Sequence, residues 1–259
     1  MAEPRIEALV PAPSDLGGPL DVDALAALYD PPTAGRRADR VWLRTNFVAS
    51  IDGAATGPDD RSGTLSTSAD KLVFDVLRRL ADVVVVGAGT VRIEGYDGPL
   101  VSDEQRAWRV AHGRTPDPAF VIVSEHLALE PASDVFRRSP VPVIIATVSD
   151  APAERREALS EVATLVDCGA EELDVWRLRG ALADRGLLDV LCEGGPTLHG
   201  SLVTAAAVDE LCLTVTPKIE AGAAPRITNA TRTSVDDGFR LAHVLRSASD
   251  DLHLRYVRE

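Results

Sequence analysis

Three stretches of this sequence end apolar runs in residues that carry chemistry. They are Asn46-Phe47-Val48-Ala49-Ser50-Ile51-Asp52-Gly53, then Gly87-Ala88-Gly89-Thr90 leading to Arg92 and Glu94, and Glu193-Gly194-Gly195-Pro196-Thr197-Leu198. Glycines let a ligand approach the backbone. A glycine turn that opens a helix leaves N–H groups free for phosphate oxygens, and Pro196 suits a first helical turn, where its missing N–H costs nothing. Each feature has a plainer reading beside the chemical one. G-A-G lacks the third glycine of the dinucleotide fingerprint and also reads as a tight turn. Asp52 before Gly53 fits turn chemistry, and Glu193 fits an exposed strand-edge carboxylate.

The elements that position these residues follow from periodicity. VWLRTNFVAS from Val41 reads as a strand. A helix capped by Ser66 or Thr67 runs to Leu80, with Leu72, Val73, Val76, Leu77 and Leu80 on one face. DVVVVGAGT is a continuous apolar run suited to a strand buried on both faces of a parallel sheet. AFVIVS (119–124), VPVIIATV (141–148), LLDVLCEGG (187–195) and DELCLTVTPKI (209–219) repeat the type, with helical windows at 152–162, 172–185 and 197–206. FRLAHVLRSASDDLHLRYVRE reads as an antiparallel hairpin. The expected fold is α/β, a mainly parallel central sheet flanked by helices on both faces and closed by a C-terminal antiparallel hairpin. Ligands of such sheets bind outside the C-terminal ends of the strands, where all three stretches lie. Residues 1–40 hold six of the 17 prolines and one short helix, Val22 to Tyr29, started by Asp21 and stopped by Pro31 and Pro32. They are expected to form an N-terminal proline-rich extension draped over a domain of residues 41–259.

Composition removes several function classes. At about 150 residues per domain, 259 residues make one large domain or one domain with an extension. With 45% hydrophobic and 26% charged residues the chain is of ordinary globular type and needs no disulfide staples. The net charge, 27 − 40 = −13, disfavours nucleic acid and anionic membrane surfaces as partners. Cys168, Cys192 and Cys212 form no C-x-x-C pair, and His112, His126, His199, His243 and His253 have no metal spacing, so no metal site is expected. No G-K-[ST] or G-x-S-x-G occurs, which leaves a Walker-type ATPase or serine hydrolase without support. The first residues lack the pattern of a signal peptide, and no run approaches the roughly 18 apolar residues of a membrane span. The expected location is cytoplasmic.

Taken together, VASIDG (48–53), the helix with Arg78, VVVGAGTVRIEGY (84–96), EGGPTLHGSL (193–202) and DELCLTVTPKI resemble the pyrimidine reductase half of the bifunctional deaminase–reductase of riboflavin biosynthesis. The resemblance covers about Val41 to Arg258. It implies a dihydrofolate reductase-like fold and NADPH-dependent reduction of 5-amino-6-(5-phosphoribosylamino)uracil to its ribityl counterpart. It places Ala49, Thr90 and Glu94 with the cofactor, with Gly87, Gly89 and Gly194 in the turns beside it. Gly195, Pro196, Thr197 and Leu198 would lie beneath its phosphates. Ser62 and Arg78 match positions that meet the substrate, its phosphate in particular. Glu193 matches a substrate-contacting carboxylate, and Asn46 a substrate-side position.

In the implied reaction the sugar ring opens to an imine, takes hydride at C1′ and takes a proton. Asp52, Glu193 and water are the candidates for handling that proton. Asn46 stands where many bifunctional members carry lysine, Thr64 where some carry tryptophan, and Glu94 where aspartate is common. The H-x-E and P-C-x-x-C signatures of a zinc deaminase do not occur. The expectation is a stand-alone reductase, a homodimer as the family usually is, with DELCLTVTPKI a candidate interface strand. Its substrate would be a phosphorylated pyrimidine or a pterin-like molecule. A dihydrofolate reductase-like activity is the alternative within the enzyme class. A non-catalytic nucleotide-binding protein is the alternative outside it.

Overall fold

A computed structural model describes residues 6–10, 19–33, 36–37, 39–230 and 238–259. Among the described residues ten strands form one sheet: β1 (Ile6–Val10), β2 (Trp42–Ser50), β3 (Val83–Gly87), β4 (Ala119–Val123), β5 (Val143–Thr147), β6 (Thr164–Asp167), β7 (Asp189–Cys192), β8 (Glu210–Thr216), β9 (Phe239–Ser247) and β10 (Leu252–Arg258). The helices are α1 (Val22–Tyr29), α2 (Ser68–Leu80), α3 (Ala88–Thr90), α4 (Asp103–Ala111), α5 (Asp134–Arg137), α6 (Ala153–Ser160), α7 (Val175–Ala183) and α8 (Pro196–Thr204). Strand order is β1-β9-β10-β8-β2-β7-β3-β4-β5-β6, with every pair from β8 to β6 parallel. The β9–β10 hairpin is antiparallel, as are its pairings with β1 and β8. The α/β class, the mainly parallel sheet and the C-terminal hairpin are those expected.

The apolar runs are explained by burial on two faces. In β3, Val84 and Val86 join a core beneath α1 and α2, while Val83 and Val85 join the opposite core beneath α7 and α8. A four-valine strand with no polar alternation is what a strand covered on both sides requires. Helix α2 buries Val73, Val76, Leu77 and Leu80, and its cap is Thr67, whose hydroxyl accepts from Asp70 N at 3.2 Å. Helix α8 begins at Pro196, one residue before the expected window. Strand β6 and helix α4 were not expected: β6 is a short, half-exposed edge strand, and α4 is mostly polar on its outer side.

Two elements come from the proline-rich segment. Strand β1 pairs with β9 at the sheet edge. Helix α1 is held by a buried charge cluster: Glu210 accepts from Arg44 Nε at 2.6 Å, Arg255 Nε at 2.8 Å and Trp42 Nε1 at 2.7 Å. The same two arginines donate to the carbonyls of Tyr29 and Leu28, the last turn of α1. Cations at a helix C-terminus satisfy carbonyls that have no partner within the helix. Among the described residues no helix is long and apolar enough to cross a membrane.

Candidate active site

Strands β2, β7 and β3 are neighbours, so the three sequence stretches converge at one end of the sheet. The turns after β3 and β7 are tied together. Glu193 N donates to Val85 O at 3.0 Å, and Gly87 N donates to Gly194 O at 2.8 Å. Glycine is required in the second turn. A Cβ on Gly195 would stand 2.6 Å from Thr90 Oγ1, and one on Gly194, whose φ is +105°, would stand 3.2 Å from Phe47 Cε1. The Gly195 N-cap supplies no side-chain acceptor, so the first N–H groups of α8 remain open.

A cavity of about 690 Å³ opens beside these turns. Of the residues singled out from sequence, Asn46, Ser62, Arg78, Thr90, Glu94, Glu193, Gly194, Gly195 and Pro196 line it. Ala49, Asp52, Gly87, Gly89, Thr197 and Leu198 are not on its wall. Ala49 is buried in β2 and Gly87 lies behind Gly194. Phe47, Phe74, Tyr96, Leu100 and Pro225 supply apolar wall that sequence reasoning did not assign to the site. Tyr96 and Phe47 lay inside the quoted stretches, so proximity to the glycine turns was the available signal.

Arg78 forms a bidentate pair with Glu193: Nε to Oε1 at 2.6 Å and Nη2 to Oε2 at 2.8 Å. Its Nη1 donates to Leu100 O at 2.9 Å, and its guanidinium lies 4.3 Å over the Phe74 ring. Tyr96 Oη adds a third donor to Glu193 Oε2 at 2.8 Å. Burial would lower the Arg78 pKa, but the Glu193 charge outweighs it and raises it. Burial, then the Glu193 charge, push the Tyr96 phenol well above its usual value. Arg78, expected at the substrate phosphate, lines the cavity with its guanidinium paired to Glu193.

Asp52 is in a turn. Its carboxylate accepts from Ser50 Oγ at 2.5 Å, Ala221 N at 2.8 Å and Glu220 N at 3.2 Å. Those bonds hold its pKa down to about 2, so it carries no exchangeable proton near neutral pH. The turn reading of Asp52 is the one its contacts match. Glu94 accepts from Ser62 N at 2.8 Å, which joins a residue expected at the cofactor to one expected at the substrate. His199 is buried against Phe47, with ring centroids 4.5 Å apart, and its Nδ1 meets Ile227 O at 3.0 Å. Burial pushes its pKa down to about 4. Among the described residues no group of three His, Cys, Asp or Glu could hold a metal. The residues present do fit a dinucleotide: an uncapped helix start behind two glycines suits a pyrophosphate, and the cavity beside it carries polar groups, Glu193, Asn46 and Ser62 among them, within an apolar wall.

Residues 41–251 match the family described as the RibD C-terminal domain. The chain is 31% identical over 190 residues to the 2,5-diamino-6-ribosylamino-4(3H)-pyrimidinone 5′-phosphate reductase of Aquifex aeolicus, covering 71% of this chain and 80% of that protein. It is 28% identical over 172 residues to the enzyme of the same name from Archaeoglobus fulgidus, covering 66% of this chain and 78% of that one. In fold it is similar to a pyrimidine reductase-like protein from Corynebacterium diphtheriae, with a TM-score of 0.76 at 22% identity over 91% of this chain and 98% of that chain.

Proposed function

This chain belongs to the RibD C-terminal domain family, and we propose that it is a reductase of a phosphorylated aminopyrimidine, the substrate class in the names of its relatives, and that it draws its hydride from NADPH. The observation that carries this reading is the chain segment Glu193-Gly194-Gly195-Pro196. It places a cavity-facing carboxylate two residues from an uncapped helix start, so one turn can serve substrate and cofactor together.

The chemistry that bound NADPH supplies is a hydride. The chain's own part is to orient, to dry and to hold protons. Glu193 is fixed by three donors, two from Arg78 and one from Tyr96, and its Oε1 keeps acceptor capacity for an N–H of the substrate ring. Phe47, Phe74 and Tyr96 exclude water from the space above it. Gly195, with the open Thr197 and Leu198 N–H groups behind Pro196, receives the pyrophosphate, while Thr90 and Glu94 border the nicotinamide end. Asn46 and Ser62 lie on the substrate side. The proton that completes reduction comes from water admitted at the cavity mouth, since Glu193, paired with Arg78, is an acceptor.

The protein works as a cytoplasmic homodimer in this reading. Leu211, Leu213 and Val215 of β8 lie beside Tyr256, Leu254 and Leu252 of β10 in register, all on one incompletely buried sheet face. Such a stripe suits a second copy of itself.

The test is to titrate NADPH and NADH by fluorescence and then follow NADPH oxidation with the relatives' substrate and with dihydrofolate. Binding of NADPH with turnover of the aminopyrimidine is expected. Absence of nucleotide binding would remove the reductase reading, and turnover of dihydrofolate alone would replace the substrate class.

A further inference from the structure

Residues 217–230 follow β8 and cross the start of α8. Pro225 O accepts from Ala55 N at 2.8 Å, and Asn229 N donates to Pro196 O at 2.9 Å. Between these ties the segment meets His199 of α8, whose Nδ1 stands 3.0 Å from Ile227 O and 3.0 Å from Thr228 Oγ1. A carbonyl only accepts, so the imidazole carries its proton on Nδ1 and donates to Ile227 O. Nε2 is then the acceptor, turned to Thr45 Oγ1 at 3.4 Å. The ring is buried against Phe47, and burial pushes its pKa down to about 4, so it is neutral at physiological pH. The helix yields at the same place. A Cβ on Gly200 would overlap Asn229 O, so α8 carries a weak helix former where the segment comes closest.

We infer that His199 is a positioning residue for the cofactor, its Nδ1–H fastening residues 225–229 along the first turn of α8. The inference deepens the reductase reading above and takes the identity of the ligand from it. Pro225 and Pro196 both line the cavity, with Gly194 and Gly195. The segment is therefore cavity wall at one end and helix partner at the other. Phe47 joins the same ring to the glycine turn: it lies 4.5 Å from His199 between centroids, and a Cβ on Gly194 would meet it. Without the Nδ1–H, Ile227 O and Thr228 Oγ1 turn to water, and the segment keeps its tie at Asn229 N with less support. Water then reaches the α8 N–H groups offered to a pyrophosphate and competes for them. A bound dinucleotide leaves sooner.

The experiment separates the bond made by the imidazole from its bulk. His199→Asn keeps an N–H near the Nδ1 position and loses the ring. His199→Phe keeps a ring against Phe47 and loses the donor. Gly200→Ala displaces the segment with His199 intact. NADPH Kd and release rate are measured by fluorescence, and amide exchange over residues 226–230 and Tm on the ligand-free protein. His199→Phe and Gly200→Ala should raise Kd about tenfold, chiefly through faster release, and should quicken exchange over 226–230. His199→Asn should stay within about threefold of wild type in both, although its Tm lies below that of His199→Phe for want of the ring. A histidine that only fills space predicts the reverse, with affinity following Tm and His199→Asn the weakest binder. That order would overturn the assignment, as would wild-type affinity in either His199→Phe or Gly200→Ala. A wild type that binds no NADPH sinks the reductase reading and the cofactor role with it; wild-type binding with the wrong order of variants sinks the role of His199 alone.

Discussion

Arg78 and Glu193 are 115 residues apart in sequence and lie face to face in the cavity, joined by two contacts of 2.6 and 2.8 Å. The Glu193 side chain is 1% exposed and that of Arg78 15%, so neither charge is relieved by water as it would be at the surface. The pair makes the carboxylate a fixed acceptor rather than a mobile one.

Breaking that pair from either side should give strongly non-additive losses. Arg78→Met leaves a buried carboxylate held only by Tyr96, and should cost about 3–5 kcal/mol of stability. Glu193→Gln removes a charged acceptor worth about 1.5–3 kcal/mol to a bound ring, roughly 10–100-fold in kcat/KM. The double variant should unfold in urea at a midpoint well above the one that the two single losses added together would give. Additive midpoints would show that the two groups do not depend on one another.

Much of this fold could be read from residue order. The valines of β3, the helical face of α2 and the Gly-Gly-Pro start of α8 follow from local periodicity and cap chemistry, which depend on near neighbours only. Strand β6 escaped because TLVD is short, half exposed and at an edge, where no alternation is imposed. Helix α4 carried a readable signal in the Ser102 and Gln105 capping box, whose two reciprocal bonds are formed. The partners of charged residues were the illegible part. Residue type says that Arg78 seeks an anion and Asp52 an N–H, but which anion or N–H is decided by strand order across more than a hundred residues.

The buried cluster around Glu210 should govern attachment of α1. Burial alone would raise the Glu210 carboxyl, but Arg44 and Arg255 outweigh it and hold it down to about 2. A depressed carboxyl contributes stability in full above its unfolded range and loses it as pH falls toward 2. Glu210→Gln leaves two buried guanidinium groups without a counter-charge, a cost of about 3–5 kcal/mol. Thermal unfolding should fall accordingly, and amide exchange over residues 22–29 should quicken before that of β3. Unchanged protection of α1 would mean that the cluster does not secure it.

His199 and His243 should make the protein acid-sensitive. Burial pushes both down to about 4, with the Arg255 charge adding to the effect at His243. Both are neutral in the folded chain while the unfolded chain protonates near 6.5, so stability should rise with pH between about 4 and 6.5 and fall on acidification. Each contributes up to roughly 3 kcal/mol across that window. His243 packs edge-on against Tyr29 at 4.8 Å, so His243→Phe keeps the ring and removes the titration. Its urea midpoint should vary with pH less steeply than wild type, the buried His199 and His253 keeping the rest of the slope; a curve parallel to wild type would rule out His243 as a source.

The closest fit in the site is between Gly195 and Thr90, and it can be tested by a change and its relief. A Cβ at Gly195 would stand 2.6 Å from Thr90 Oγ1, while the Thr90 Cβ is 4.0 Å away. Gly195→Ala therefore forces the turn that opens α8 away from the turn that opens α3, and the N–H groups offered to a pyrophosphate move with it. NADPH affinity should drop about tenfold or more, with a modest loss of Tm. Gly98→Ala, at a cavity-lining glycine with nothing within 4 Å, is the matched control and should change NADPH affinity little. Adding Thr90→Ala to Gly195→Ala removes the blocking hydroxyl and should restore Tm. If Tm stays low in the double variant, the clash lies elsewhere and the fit between the two turns is not what requires glycine at 195.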